Sequence, residues 1–263
     1  MKNKNGPRIL VLDIETSPII SYTWGLFDQN IALNQVVQDS YVIAWAAKWL
    51  GDPDSKIVYM DQRNSKDFSN DKKFLTPIWE LLNEADVLLT QNGVRFDEKK
   101  LNARFVQQGM KPPAPYKSID TLKIVKKKFS FLSNKLEHMT KILCKKHQKT
   151  KSKKYPGFEL WKECLAGNKD AWNEMKAYNI KDVLSLEDLY LQLQAWDHTI
   201  DFNLFTDDPE IRCNCGGTHF EKRGFNVSAA GRFQRYQCLD CGKWTSSKKN
   251  LLPKEKRASL RKA

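Results

Sequence analysis

No apolar run in these 263 residues approaches the ~18 that a helix needs to cross a bilayer, which excludes a helical membrane span. The basic start MKNKNGPR leads into an apolar stretch that stops at Asp13, too short for a secretory signal, so the expected location is the cytoplasm. Acids are scarce in two places. Residues 123–154 hold twelve lysines and one acid, Glu137, and residues 212–263 hold thirteen Lys and Arg against three acids. In a chain of net charge +13, two such clusters suit a polyanion, most simply nucleic acid, although a solvated lysine-rich face is the plainer reading of either one alone. Cysteine is scarce too. Cys144 and Cys164 stand alone as structural residues, while Cys213, Cys215, Cys238 and Cys241 are bunched. Without an export signal such a set argues for metal rather than disulfides. No internal repeat is evident.

What is present suffices for one sizeable core and a small satellite. The first 200 residues alternate strand-like and helix-like segments, an α/β pattern. Strands are expected at 9–12, 41–49, 56–60, 86–90 and 118–121. Helices are expected at 71–84, 98–108, 136–143 and 168–194. Residues 149–156 read as a loop, and the acidic, irregular 201–211 as a linker. The chain thus divides into a domain at 1–200, the linker at 201–211, a cysteine module at 212–247 and a basic tail at 248–263, expected to be disordered.

Three stretches carry carboxylates in telling places. In VLDIETSP, Asp13 and Glu15 stand two apart, so on a strand they share a face. Two carboxylates on one buried face repel each other unless a cation lies between them, and a divalent metal is the usual answer. The plainer reading is that they merely start the turn at Thr16, Ser17 and Pro18. In TQNGVRFDEKKL, Asp97 stands where a strand gives way to a helix, as a helix-capping residue would. In AYNIKDV, Tyr178 and Asp182 are four apart and share a helical face.

The order D-x-E, then N-x-x-x-F-D, then Y-x-x-x-D resembles the three exonuclease motifs of the DEDD superfamily of RNase H-like 3′–5′ exonucleases. SIDTLKIV and NKLEHM resemble the region between the second and third motifs, and the resemblance covers most of residues 7–195. One branch of that superfamily has histidine five residues before the last aspartate. Here that position is Ala177, and Tyr178 stands one later, so the chain looks like the tyrosine branch (DEDDy). It is most similar to phage-type members with a C-terminal zinc ribbon.

The resemblance implies an RNase H-like mixed sheet flanked by helices, plus a small β-rich zinc ribbon. It also implies a two-metal phosphodiesterase using Mg²⁺ or Mn²⁺, hard ions that suit oxygen ligands. Asp13 would bridge both ions, Glu15 and Asp182 would hold the one on the nucleophile side, and Asp97 the other. Tyr178, with an ordinary pKa of about 10, is a poor base and would orient the attacking water. Asn92 and Phe96 would shape the substrate site, with core packing the commoner fate of a Phe. Thr16 would offer its backbone N–H to the terminal 3′-hydroxyl. Tyr22 and Trp24 offer rings to bases, although aromatics near a sheet are more often core.

At the C-terminal end, Cys213-x-Cys215, a 22-residue spacer and Cys238-x-x-Cys241 form two close thiolate pairs that fit one tetrahedral, structural Zn²⁺. The Cys215-Gly216 and Cys241-Gly242 steps suit the turns of a zinc knuckle. The module resembles a zinc ribbon, but ribbons usually open with C-x-x-C. The C-x-C here leaves His219 as the alternative to Cys213. Aromatic residues alternating with Lys and Arg suit a phosphate backbone and its bases, though some must form the module's core.

The leading reading is a metal-dependent 3′–5′ exonuclease, with single-stranded DNA favoured over RNA because the relatives it resembles act in phage replication and recombination. That context brings a replication or recombination protein partner and, for a phage protein, the host cytoplasm. Two other readings stand beside it: a nucleic-acid-binding or recruiting protein acting through the ribbon, and a structure-specific RNase H-like endonuclease.

Overall fold

The computed structural model describes residues 6–149, 152 and 154–260. It divides the chain into two compact units, Arg8–Tyr190 and the chain from Leu191 onward. The first unit carries, in order, β1 (Ile9–Thr16), β2 (Ile20–Ser21), β3 (Val36–Gln38), β4 (Val42–Trp49), β5 (Val58–Asp61), α1 (Lys72–Glu84), β6 (Val87–Thr90), α2 (Asp97–Gln107), β7 (Lys117–Asp120), α3 (Thr121–Lys128), α4 (Leu136–Leu143), α5 (Glu159–Leu165) and most of α6 (Lys169–Leu193). The expected strands and helices all form, with ends shifted by a few residues. The α3 and α5 helices and the β2–β3 hairpin are additions. Only Thr121, Ile124 and Val125 are buried in α3, whose lysine run hides its period, and α5 is too short to show one.

The main sheet is mixed, in the order β5-β4-β1-β6-β7. Antiparallel pairing joins β4 to β1 and β5, while β1, β6 and β7 run parallel. Alternation divides β1 between two layers. Leu10, Leu12 and Ile14 enter a core with Phe74, Leu75, Ile78 and Leu82 of α1 and Leu101 and Phe105 of α2. Asp13 and Glu15, out of phase with these, face the layer where Ala171, Trp172 and Met175 of α6 pack with Ile43, Ala44, Leu160 and Cys164. Their partners across the ladder are Ala46 and Ala44, small residues that leave room beside both carboxylates.

The α6 helix is tied to this sheet at two places. Buried Lys48 of β4 pairs with Glu187 at 2.6 Å, and Glu187 also accepts from Gly51 N at 2.9 Å. Nearer the helix start, the Arg63 guanidinium donates to Asn173 Oδ1 at 2.9 Å while gripping Asp61 at 2.7 Å. Residues 178–182 lie between these ties.

In the second unit, β8 (Phe220–Ser228), β9 (Gly231–Cys238) and β10 (Trp244–Asn250) form an antiparallel sheet ordered β10-β9-β8, followed by the short α7 (Lys254–Ala258). The boundary expected at residue 247 therefore falls inside a strand, and the helix lies in the stretch expected to be disordered. Residues 261–263 of that tail, the basic residues 1–5, and Thr150, Lys151 and Lys153 of the expected loop lie outside the described residues.

Candidate metal and nucleic-acid site

The sheet's parallel strands deliver the site. The β6 strand pairs with β1 only as far as Val11, so the Ile14 N–H has no strand partner there and donates to Asp97 Oδ1 at 3.1 Å. Asp97 begins α2, after a turn in which Asn92 takes a left-handed φ of 65°. The Asn92 N–H donates to Asp120 Oδ1 at 2.9 Å. Gly93 follows because nothing larger fits: a Cβ there would stand 2.2 Å from Thr90 Oγ1. The N-G-x-x-F-D spelling thus carries its own geometric reason.

Carboxylate oxygens of Asp13, Glu15 and Asp182 lie within 4.8 Å of one another. Asp97 stands just outside this trio. Burial, added to by the Asp182 charge, holds the Asp13 carboxyl well above its usual range. The same two causes raise Glu15 to about 8. Burial lifts Asp97 to about 7 against the pull of the Ile14 N–H, and Asp182 to about 6 against the pull of Lys149. Burial and mutual repulsion thus disfavour the charged forms of these acids, and Lys149 offsets only part of that. The buried Asp182 Oδ1 also has no hydrogen-bond partner among the described residues. An all-oxygen donor set with an orphaned carboxylate oxygen fits a hard divalent cation.

Tyr178 lies beside the trio on α6, edge-on to Trp161 with ring centroids 5.9 Å apart. Burial and the Asp182 charge raise its hydroxyl to about 12, so it stays protonated at neutral pH. Asn92 and Asp13 line a cleft of about 530 Å³ together with Gln91, Leu122, Lys126 and Leu136. Phe96 is more than a third exposed rather than core. Thr16 follows a register shift at the end of β1. Tyr22 and Trp24 are not in the core either: both are open to solvent.

Three participants escape sequence reasoning. The buried Asn179 Nδ2 donates to Asp13 Oδ2 at 2.7 Å and to the Asp13 carbonyl at 3.2 Å, fixing that carboxylate. Its signal was its place three residues before Asp182, on the same helical face. The Lys149 ammonium pairs with Asp182 at 2.5 Å and lies 4.6 Å from the centroid of the Tyr178 ring. Nothing marked it out among the twelve lysines of residues 123–154. The Trp161 indole, which favours the charged form of Glu15 through a hydrogen bond, had no signal either.

In the second unit, Cys213, Cys215, Cys238 and Cys241 converge. Sγ–Sγ separations are 3.7 Å for Cys213–Cys241 and 3.9 Å for Cys215–Cys238. A tetrahedron of Zn–S bonds of about 2.3 Å has edges of about 3.8 Å. Gly216 and Gly242 adopt φ of 89° and 78°, letting the chain turn back so that Gly217 N and Lys243 N donate to Cys215 and Cys241 sulfurs at 3.4 and 3.5 Å. His219 stands apart, its Nδ1 bonded to Asp240 at 2.8 Å. Arg232 stacks over Phe225 at 5.1 Å and Arg235 over Trp244 at 4.9 Å, placing guanidinium groups and rings together on the sheet. Phe220 and Tyr236 meet edge-on at 6.0 Å, as a small core would.

With this geometry in hand, similarity to known proteins can be placed. The RNase_H_2 family of the RNase H superfamily matches residues 40–194. Among curated proteins, no sequence matches. Among solved structures, the family B DNA polymerase of the hyperthermophilic archaeon Pyrobaculum calidifontis aligns with a TM-score of 0.49 and 13% identity, covering 76% of this chain. The chain spans about a quarter of that polymerase, 26% of its length. No helix among the described residues is long and apolar enough to cross a membrane.

Proposed function

The chain belongs to the RNase H superfamily, and from that premise we propose that it is a metal-dependent 3′–5′ exonuclease of the tyrosine (DEDDy) branch, phage-type, acting on single-stranded nucleic acid with DNA favoured. The observation that carries the proposal is the convergence of Asp13, Glu15 and Asp182 within 4.8 Å, from strand and helix, with Asp97 and Tyr178 beside them.

Asp13, Glu15, Asp97 and Asp182 would hold two Mg²⁺ or Mn²⁺ ions, which supply an acidified water as nucleophile and charge relief on the leaving oxygen. The residues of the chain do the rest. Asn179 fixes the Asp13 carboxylate in the orientation from which it would help to hold the ions. Tyr178, kept protonated, donates its hydroxyl to the attacking water and orients it. Lys149 offsets the negative charge of Asp182. Asn92 and Leu136 shape the cleft for a terminal nucleotide, Phe96 stands at its approach, and the Thr16 backbone N–H meets the terminal 3′-hydroxyl. The four cysteines would hold one structural Zn²⁺ in a ribbon whose stacked arginines and rings bind nucleic acid. A replication or recombination protein is the expected partner.

The test uses 5′-labelled single-stranded DNA and RNA of one sequence, with Mg²⁺, Mn²⁺ or EDTA. A metal-dependent ladder shortening from the 3′ end, abolished in Asp13→Ala and Asp182→Ala and weakened in Tyr178→Phe, is expected. Full activity in Asp182→Ala would refute the assignment. Discrete internal products would make the chain an endonuclease.

A further inference from the structure

The chain between β1 and β4 leaves the main sheet at the end where the acid cluster stands. Parallel β1, β6 and β7 end there, and antiparallel β4 begins there. The excursion is pinned at its base: Ser17 N donates to Tyr41 O at 2.8 Å, Tyr41 N to Ser17 Oγ at 2.9 Å, and Ser40 Oγ to Ser17 O at 2.7 Å. Ser17 is two residues from Glu15. Farther out, Gln35 ties the two arms. Its carbonyl accepts from Tyr22 N at 2.9 Å, its Nε2 donates to Tyr22 O at 3.0 Å, and its Oε1 accepts from Ala32 N at 2.9 Å. The result is a built flap rather than a loose loop.

Its side chains are wrong for water. Trp24 is 98% exposed, Leu33 92%, Leu26 91%, Phe27 82% and Tyr22 75%. Its charges are also unlike the rest of the chain. Residues 17–41 contain no Lys or Arg, in a protein with 44, and carry only Asp28 and Asp39. Such a surface repels phosphate and offers apolar faces and rings. Lys126, Lys135 and Lys149, by contrast, line the cleft that shares Asp13. Cations for the backbone and rings for the bases are the two halves of a single-strand grip, here divided between two parts of one unit.

We infer that the flap at 18–39 is a base-stacking element. Tyr22, Trp24 and Phe27 hold unpaired bases of the strand whose phosphate lies at the acid cluster, and Leu26 and Leu33 wedge against the neighbouring base step. Continuity decides the occupant: a strand whose phosphate reaches Glu15 passes the base of the flap two residues away. The path of the strand rests on the nuclease reading, while the grip on bases does not.

The experiment irradiates the protein with a 5-iodouracil-substituted single strand in Ca²⁺ and maps the cross-links by mass spectrometry. Cross-links at Tyr22, Trp24 or Phe27 are expected, and cross-links confined to other segments would overturn the proposal. In parallel, the triple variant Tyr22→Ala/Trp24→Ala/Phe27→Ala is compared with wild type on a 20-mer strand and on a mononucleotide p-nitrophenyl ester. About 10-fold more loss of kcat/KM on the strand than on the ester is expected. Equal losses, or none, would overturn base stacking and give the surface to a protein partner. Flap cross-links in a wild type that hydrolyses neither substrate would support the grip while refuting the nuclease.

Discussion

Asn179 shows what one buried residue can decide. It is fully buried, and its amide donates to both the carbonyl and the carboxylate of Asp13. A ligand held by such a partner loses affinity when the partner goes, typically by 10–100-fold. Asn179→Ala should therefore weaken Mn²⁺ binding by about that factor in a calorimetric titration, alongside a loss of about 1–3 kcal/mol in unfolding free energy from the lost buried hydrogen bonds. Unchanged affinity would show that Asp13 is oriented by β1 alone. The carboxylates themselves were legible because D-x-E on a strand and Y-x-x-x-D on a helix each place two groups on one face. Asn179 was less legible because a buried amide announces itself only through the atom it meets. Lys149 was illegible because its role depends on a loop bringing one lysine of many to Asp182.

At the scale of elements, the site exists because α6 is held at a fixed height on the sheet. The Lys48–Glu187 tie has side chains 1% and 9% exposed, so each charge depends on the other. Removing one partner of a buried pair costs about 3–5 kcal/mol, whereas replacing both with apolar residues is often neutral. Glu187→Ala should lower the unfolding free energy by that amount in urea, and Lys48→Met/Glu187→Leu should recover most of it. The same small loss in both proteins would mean that packing around Met175 and Trp172 sets the helix position instead. Gly93→Ala belongs at this scale too. Its new methyl would meet Thr90 Cβ at 2.4 Å as well as the hydroxyl, so trimming Thr90 to Ala gives no relief. A loss of about 1–3 kcal/mol in thermal or chemical unfolding is expected, with the Asp97 end of α2 displaced. Regular elements were readable from apolar period. The flap was not, because a period predicts what is buried, and the flap keeps Trp24 and Leu33 outside.

At the scale of the molecule, the two units keep themselves folded in different ways. The unit at 8–190 has apolar layers on both faces of its sheet. Among its described residues the unit from Leu191 buries few apolar side chains, those of Leu193, Phe202, Cys213 and Cys238, and β8 is exposed along nearly its whole length. A sheet with so small a core would need a metal at the four cysteines to stay folded. Zinc analysis should find one ion per chain, and none in Cys238→Ser/Cys241→Ser. In that variant, limited proteolysis should cut throughout 212–250 and spare 8–190. Because the arginines stacked on Phe225 and Trp244 depend on the sheet, binding of a long single strand should weaken and lose part of its salt dependence, each lost phosphate contact lowering the log–log slope by about 0.7. Hydrolysis of a mononucleotide ester in added Mg²⁺ should survive, since the acid cluster belongs to the other unit. A variant that keeps its sheet and its salt slope would show that hydrogen bonds alone sustain the three strands, and that the cysteines answer to something other than folding.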